Sequence, residues 1–200
     1  MKILRTIHSS FNFKRFLLVA LLIDCALLMA GCTTSWVSEA SSIVALLGPA
    51  ISSALEILAA FGVGLSPNVA TSVASWGKQA QAALSQVASL INQYNAAEAS
   101  AQPGILIEIQ TLLGTVSTNL SELLPTLHIT DAATQAKVVA VFDAIEGELA
   151  ALVSLIPVVQ GKVSDHDEAK MLVNKLKSAK QFKQEFNEKA GALGDQFEIQ

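Results

Sequence analysis

The sequence predicts an all-α protein: an antiparallel four-helix bundle with an additional charged C-terminal helix. Apolar residues recur in steps of three and four along four successive stretches. This spacing keeps one stripe of each helix facing a partner. Gly and Pro separate the stretches at short connections, as in bundles of neighbouring antiparallel helices. No alternation of apolar and polar residues competes as a strand signal.

The first 31 residues form a candidate signal peptide. Four basic residues, from Lys2 to Arg15, precede an apolar stretch over 16–30. That stretch has about the length expected of the apolar region of an export signal and is short for a membrane span. We therefore expect residues 1–31 to be removed, and we exclude them from the prediction of the fold.

The end of this segment, Met29-Ala30-Gly31-Cys32, resembles the lipobox of bacterial lipoprotein signal peptides. Ala30, Gly31 and Cys32 match that pattern, and Met29 stands where Leu is usual. The resemblance covers only the leader and Cys32, and it implies cleavage before Cys32 and acyl chains on its sulfur and amino group. Thr33 is not Asp, so the sorting pattern of the family implies the periplasmic side of the outer membrane in a host with two membranes. The alternatives are an uncleaved N-terminal anchor and a buried thiol.

A lipid anchor at Cys32 would hold the mature protein at a membrane and would use the one cysteine that the mature chain keeps. Each buried methylene group contributes about 0.8 kcal/mol, and two or more acyl chains hold a protein stably at a membrane. Cys25 lies in the leader, so a mature chain of residues 32–200 would keep Cys32 alone. Disulfides, thiolate nucleophiles and thiolate metal sites are thereby excluded from the mature domain.

The mature chain is acidic and its charges are unevenly spread. It holds nine basic and sixteen acidic residues, a net charge of −7, which argues against binding to nucleic acid or to anionic lipid headgroups. Residues 36–163 hold twelve charged side chains, whereas residues 164–200 hold thirteen. We therefore divide the chain into a signal peptide (1–31), a helical bundle (32–163) and a charged C-terminal helix (164–200).

The first two helices are bounded by Gly, Ser and Pro. The first is predicted from Trp36 to Phe61, before two nearby glycines. The second begins at Ser66-Pro67, an N-cap followed by proline in the first turn, and reaches Ala97. Their predicted core positions are Val37, Ala40, Val44, Leu47, Ile51, Ala54, Leu58 and Phe61, then Val69, Val73, Trp76, Ala80, Ala83, Val87, Leu90 and Tyr94.

The third and fourth helices lie between further breaks. The third follows Gln102-Pro103-Gly104 and ends at Pro125. Thr130 or Asp131 caps the fourth, which ends before Pro157. Their predicted core positions are Leu106, Ile109, Leu113, Val116, Leu120 and Leu123, then Val138, Phe142, Ile145, Leu149, Leu152 and Ile156.

The fifth helix is predicted to begin near Ser164, where acidic residues in the first turn favour a helix N-terminus. Its narrow apolar stripe allows it either to dock across the bundle or to project from it. Gly191 and Gly194 predict a frayed end. The stripe comprises Leu172, Leu176, Ala179, Phe182 and Phe186.

The apolar stretch from Ile43 to Leu65 is long enough for a membrane span. However, polar residues including Ser53 and Glu56 are predicted on the side opposite the apolar stripe, and a charge at the centre of a bilayer is costly. A helix in the core of the bundle is therefore the preferred interpretation. Trp36 lies four residues after Cys32, and we note it as a possible contact with the membrane surface.

The polar clusters predict no catalytic, metal or cofactor site. The acids in Asp165-His166-Asp167-Glu168 fit a helix N-terminus, where consecutive side chains point in different directions. His128 follows Pro125 in a loop without a recognisable nucleophile. The acids of helices three and four are predicted to face solvent, because no Glu-x-x-His pair is present for a di-iron site. Those acids are Glu108, Glu122, Asp143, Glu146 and Glu148.

These observations predict a lipid-anchored envelope protein that is not an enzyme. We expect the bundle to have a binding or scaffolding role, with residues 164–200 contacting an unidentified envelope protein. Two alternatives stay open: a membrane-active, pore-forming-like protein, and a carrier of an apolar ligand held between helices.

Overall fold

A computed structural model describes residues 36–62, 65–160 and 177–200, whose regular structure is helical throughout. The all-α prediction is confirmed for this part of the chain. The chain divides into two compact units, Met1–Ser38 and Glu39–Gln200; we call the second the helical body. The helices are α1 (Trp36–Phe61), α2 (Pro67–Ala96), α3 (Gln102–Leu123), α4 (Ala132–Val159) and α5 (Ala179–Gly191), with 3₁₀ turns at Leu124–Thr126 and Asp195–Phe197.

Side-chain caps begin α2 and α4. Ser66 caps α2 as predicted, accepting the Val69 N–H at 3.3 Å. Of the two candidates for α4, Asp131 accepts the Thr134 N–H at 2.7 Å. These bonds satisfy backbone donors that have no partner within the helix.

The predicted end of α4 before Pro157 is wrong, because the helix continues to Val159. Proline removes only its own N–H from the helical ladder. The later Gln160 N–H still donates to the Ile156 carbonyl at 3.0 Å. The last turn therefore closes in spite of the proline.

Helices α2, α3 and α4 pack in chain order, and every core position predicted for α3 and α4 is buried. Trp76 of α2 joins the three helices. Its ring centroid lies 6.0 Å from that of Phe142 of α4, and its indole N–H donates to the Val116 carbonyl of α3 at 3.2 Å. A buried indole N–H thus has the partner that it requires.

Helix α1 contributes a buried face to the helical body. Ile43, Leu47, Ile51 and Ile57 are fully buried. Among the described residues α1 is the one helix long and apolar enough to cross a membrane, and half of its most apolar window is buried. The prediction that Ser53 lies on a polar side of this helix is wrong. Ser53 is buried, and its hydroxyl donates to the Phe197 carbonyl.

Residues 177–200, called the C-terminal segment, pack against the other helices of the helical body. Ser178 has an extended backbone and forms a capping box with Gln181, so no helix runs unbroken from Ser164 into α5. Phe182 and Phe186 are fully buried. The apolar stripe of α5 therefore faces inward.

The predicted frayed end is wrong. Gly194, at φ 149°, adopts a backbone that favours glycine and turns the chain after α5. Phe197 and Ile199 beyond it are buried, and Asn187 exchanges hydrogen bonds of 2.8 and 3.0 Å with the backbone of Ile199. The last residues are held by packing and by hydrogen bonds.

Candidate functional site

The residues predicted for lipid attachment and signal cleavage, Met29, Ala30, Gly31 and Cys32, lie outside the described residues. The cluster at 165–168 lies outside them as well. Trp36 is the first residue of α1 and belongs to the smaller unit. Its contact with a membrane surface stays a prediction.

A depression of about 360 Å³ lies between the C-terminal half of α1 and the N-terminal half of α2. We call it the α1–α2 groove. Buried Leu58, Val73 and Gly77 form its floor, and half-buried Leu55 and Leu65 stand beside them. Its lining is therefore mainly hydrocarbon. The complete lining is Leu55, Leu58, Ala59, Leu65, Ala70, Val73, Ala74, Gly77, Lys78 and Gln81.

The groove exists because small side chains stand where larger ones would seal the contact. Three exposed alanines line the groove: Ala59 of α1, and Ala70 and Ala74 of α2. At Gly77 a Cβ atom would lie 2.5 Å from Cδ1 of Leu55. Gly77 thus lets the two helices approach closely at one end, while the alanines leave space beside them.

Lys78 provides the cationic group of this groove. It is exposed on α2, and no other Lys or Arg occurs between residues 36 and 136. Within the described residues it forms neither an ion pair nor a hydrogen bond. The neighbouring Gln81 donates to Ser52 Oγ at 3.0 Å and ties α2 to α1 at the groove edge.

A second depression, of about 560 Å³, lies between the start of α2 and the end of α3 and is open to solvent. Amide, hydroxyl and carboxylate groups line it, together with Trp76. Gln79 donates to Ser75 Oγ at 3.1 Å within this lining. Its polar residues are Asn68, Thr71, Ser72, Ser75, Gln79, Asn119, Glu122 and Thr126.

Glu148 of α4 contradicts the prediction that the acids of α3 and α4 face solvent. It is 1% exposed, and neither carboxylate oxygen accepts a hydrogen bond within the described ranges. Glu108, Glu122 and Asp143 are exposed as predicted, and Glu146 is half-buried. The prediction failed because α4 packs against both α3 and α5. The spacing of apolar residues along α4 does not reveal this second neighbour.

Burial raises the pKa of Glu148 to about 7, and the nearby carboxylates Glu185 and Glu39 act in the same direction against the opposing charge of Lys177. Glu39 accepts the Ala179 N–H at 2.5 Å. Glu185 pairs with Lys177 at 2.5 Å and with Lys189 at 2.8 Å. These hydrogen-bonded lysines lower the pKa of Glu185. Each of the two neighbouring carboxylates therefore has a partner of its own, and the site around Glu148 favours the neutral carboxyl group.

His128 is exposed between α3 and α4. Within the described residues, no group of three or more His, Cys, Asp or Glu side chains is placed to hold a metal ion. The candidate features of the described residues are thus the α1–α2 groove, the second depression between α2 and α3, and the buried carboxylate of Glu148. Sequence spacing had indicated none of these three.

Comparisons with protein-family models, with curated proteins and with solved structures find no match. The function is therefore inferred from the residues of this chain.

Proposed function

We propose that this chain is a lipid-anchored bacterial envelope protein whose helical body binds a partner rather than catalysing a reaction. The spacing of Cys32 from α1 carries the proposal. Only three residues separate Cys32 from Trp36, where α1 begins. Acyl chains at Cys32 would hold α1 close to the membrane surface. Binding is favoured because mainly apolar groups line the α1–α2 groove, whereas amide and hydroxyl groups line the second depression.

We further propose that α1 to α4 form an antiparallel four-helix bundle with α5 as an additional helix. Two features support this arrangement: the short connections between successive helices and the packing of α2, α3 and α4 in chain order.

The partner is proposed to meet the charged surface of residues 164–200. The apolar face of α5 is buried within the helical body, so its outer face is left for recognition. Lys180, Gln184 and Glu188 are exposed there. Crosslinking in intact cells is expected to capture an envelope protein through this outer face. A partner captured equally well by a Lys180→Glu, Glu188→Lys variant would contradict this assignment.

The anchor is tested by the intact mass of the protein purified from membranes. The expected mass is that of residues 32–200 plus acyl chains. Cys32→Ser should abolish the acylated species, whereas Cys25→Ser, in the leader, should leave the mature mass unchanged. A full-length, unmodified mass would overturn the anchor and indicate an uncleaved N-terminal segment.

The α1–α2 groove favours a second function, that of a carrier for an apolar ligand. Its lining is mainly apolar and its rim is accessible. Native mass spectrometry of protein taken from cells should show a bound species of lipid size. Recovery of the empty protein alone would contradict this function and leave the anchor untouched.

A further inference from the structure

We infer that the α1–α2 groove binds a medium-chain fatty acid, with the alkyl chain along the apolar floor and the carboxylate at Lys78. This assignment deepens the carrier function proposed above and rests on it. Three observations support it: the length of the α2 wall of the groove, the small residues on its rim and the position of its single cation.

The shape of the groove suits one alkyl chain. Its α2 wall runs from Ala70 to Lys78, a rise of about 12 Å along the helix axis. The floor is apolar along this length, through Leu58, Val73 and Gly77. A single hydrocarbon chain buries apolar surface of both the ligand and the protein.

The cation selects an acid over a neutral lipid. Lys78 is exposed, lines the groove and has no partner within the described residues. Its methylene stem can lie along the apolar wall while its ammonium group remains in water. Glu56, an exposed acid of α1, does not line the groove. A carboxylate at the end of the alkyl chain would therefore meet a positive charge in a mostly acidic protein.

The test is photocrosslinking of the full-length protein in native membranes. The probe is decanoic acid with a diazirine in the middle of its chain, and adducts are mapped by mass spectrometry. We expect adducts on residues 55–59 and 65–81. Ala74→Trp, which fills the groove from an exposed position, should lower this labelling about tenfold. Ala150→Trp, at an exposed alanine of α4 outside the groove, is the matched control and should label normally.

The headgroup is tested separately. Lys78→Gln should lower labelling by the acid about two- to fivefold, the range of an exposed ion pair, and should leave labelling by the corresponding alcohol unchanged. This exposed substitution also keeps the test decisive if Ala74→Trp fails to fold, which thermal unfolding followed by circular dichroism would show.

Each other outcome overturns the assignment. Adducts outside the groove, or labelling that survives Ala74→Trp in a folded protein, would exclude the groove as the site. Equal labelling by acid and alcohol in the unaltered protein would exclude a carboxylate-selective site but keep an apolar-ligand carrier. A different lipid found on the native protein by mass spectrometry would likewise replace the fatty acid and retain the carrier function.

Discussion

Helix α1 contacts α2 on one side and the C-terminal segment on another, and the two contacts are built differently. On the C-terminal side, the rings of Phe61 and Phe197 meet edge to face at 6.0 Å. On the α2 side, alanines and Gly77 leave the α1–α2 groove. Apolar residues at the same helical spacing thus pack closely where the neighbouring segment supplies aromatic rings. They leave a groove where the neighbouring helix supplies small side chains.

The polar contacts follow the same division. On the C-terminal side, Ser53 donates to the Phe197 carbonyl and Glu39 accepts the Ala179 N–H. On the α2 side, the bond from Gln81 to Ser52 lies at the edge of the groove. The C-terminal contact therefore has directed bonds as well as packing, whereas on the α2 side this hydrogen bond lies at the exposed edge of the groove.

The largest expected difference lies between truncating a buried side chain of the C-terminal segment and truncating a side chain that lines the groove. Phe186→Ala removes a fully buried ring and should lower the free energy of unfolding by about 3–5 kcal/mol. Leu65→Ala, at a half-buried position lining the groove, should cost about 1 kcal/mol. Urea denaturation measures both. Equal losses would remove the distinction between a sealed and an open contact.

The buried carboxylate predicts a pH dependence specific to the C-terminal contact. Because the pKa of Glu148 rises from 4.5 to about 7 on folding, its unfavourable effect is absent below pH 4.5 and grows as pH rises to 7. The loss amounts to about 3 kcal/mol above pH 7. Glu148→Gln should recover much of it at pH 8 and remove this part of the pH dependence.

Glu122→Gln, at an exposed carboxylate of α3, is the control for this experiment. It should change the free energy of unfolding by no more than about 0.5 kcal/mol, both at pH 8 and below pH 4.5. If Glu148→Gln has as little effect at pH 8, then Glu148 is not buried as a charge in the folded protein.

Ser53→Ala tests the directed bonds of the C-terminal contact. It leaves the buried Phe197 carbonyl without that donor and should cost about 1–2 kcal/mol in thermal or urea unfolding. Ser85→Ala is the matched control. Its exposed hydroxyl donates to the Gln81 carbonyl of its own helix at 3.0 Å, so the change should stay within about 0.5 kcal/mol. Similar losses at both sites would contradict the special role of Ser53.

The smallest effect is expected at Gly77, where α1 and α2 approach most closely. Gly77→Ala gains helix propensity, and the atom it meets is the movable end of the Leu55 side chain. We expect stabilisation of up to about 1 kcal/mol. Gly114→Ala, with no atom within 4 Å of the added Cβ, should show the full gain. Destabilisation by Gly77→Ala alone would show that the groove wall cannot adjust.

Prediction from sequence was accurate where helical periodicity alone decides the outcome. All predicted core residues of α3 and α4, from Leu106 to Ile156, are buried, and Ser66 and Asp131 cap helices as expected. It missed the boundary before α5, although Ser178 and Gln181 have the spacing of a capping box. This Ser-x-x-Gln spacing is the local signal of the boundary in the sequence.

By itself, the sequence determined the helices of the described chain, most of their buried faces and the candidate lipid site at Cys32, which still awaits its test. Tertiary structure alone decided that Ser53 and Glu148 are buried, that the last residues dock, and that Lys78 stands at the edge of an apolar groove. The physical reason is the range of the interactions. Periodicity and capping depend on residues three or four positions apart, whereas a second covering layer or an unfilled groove depends on segments distant in the chain.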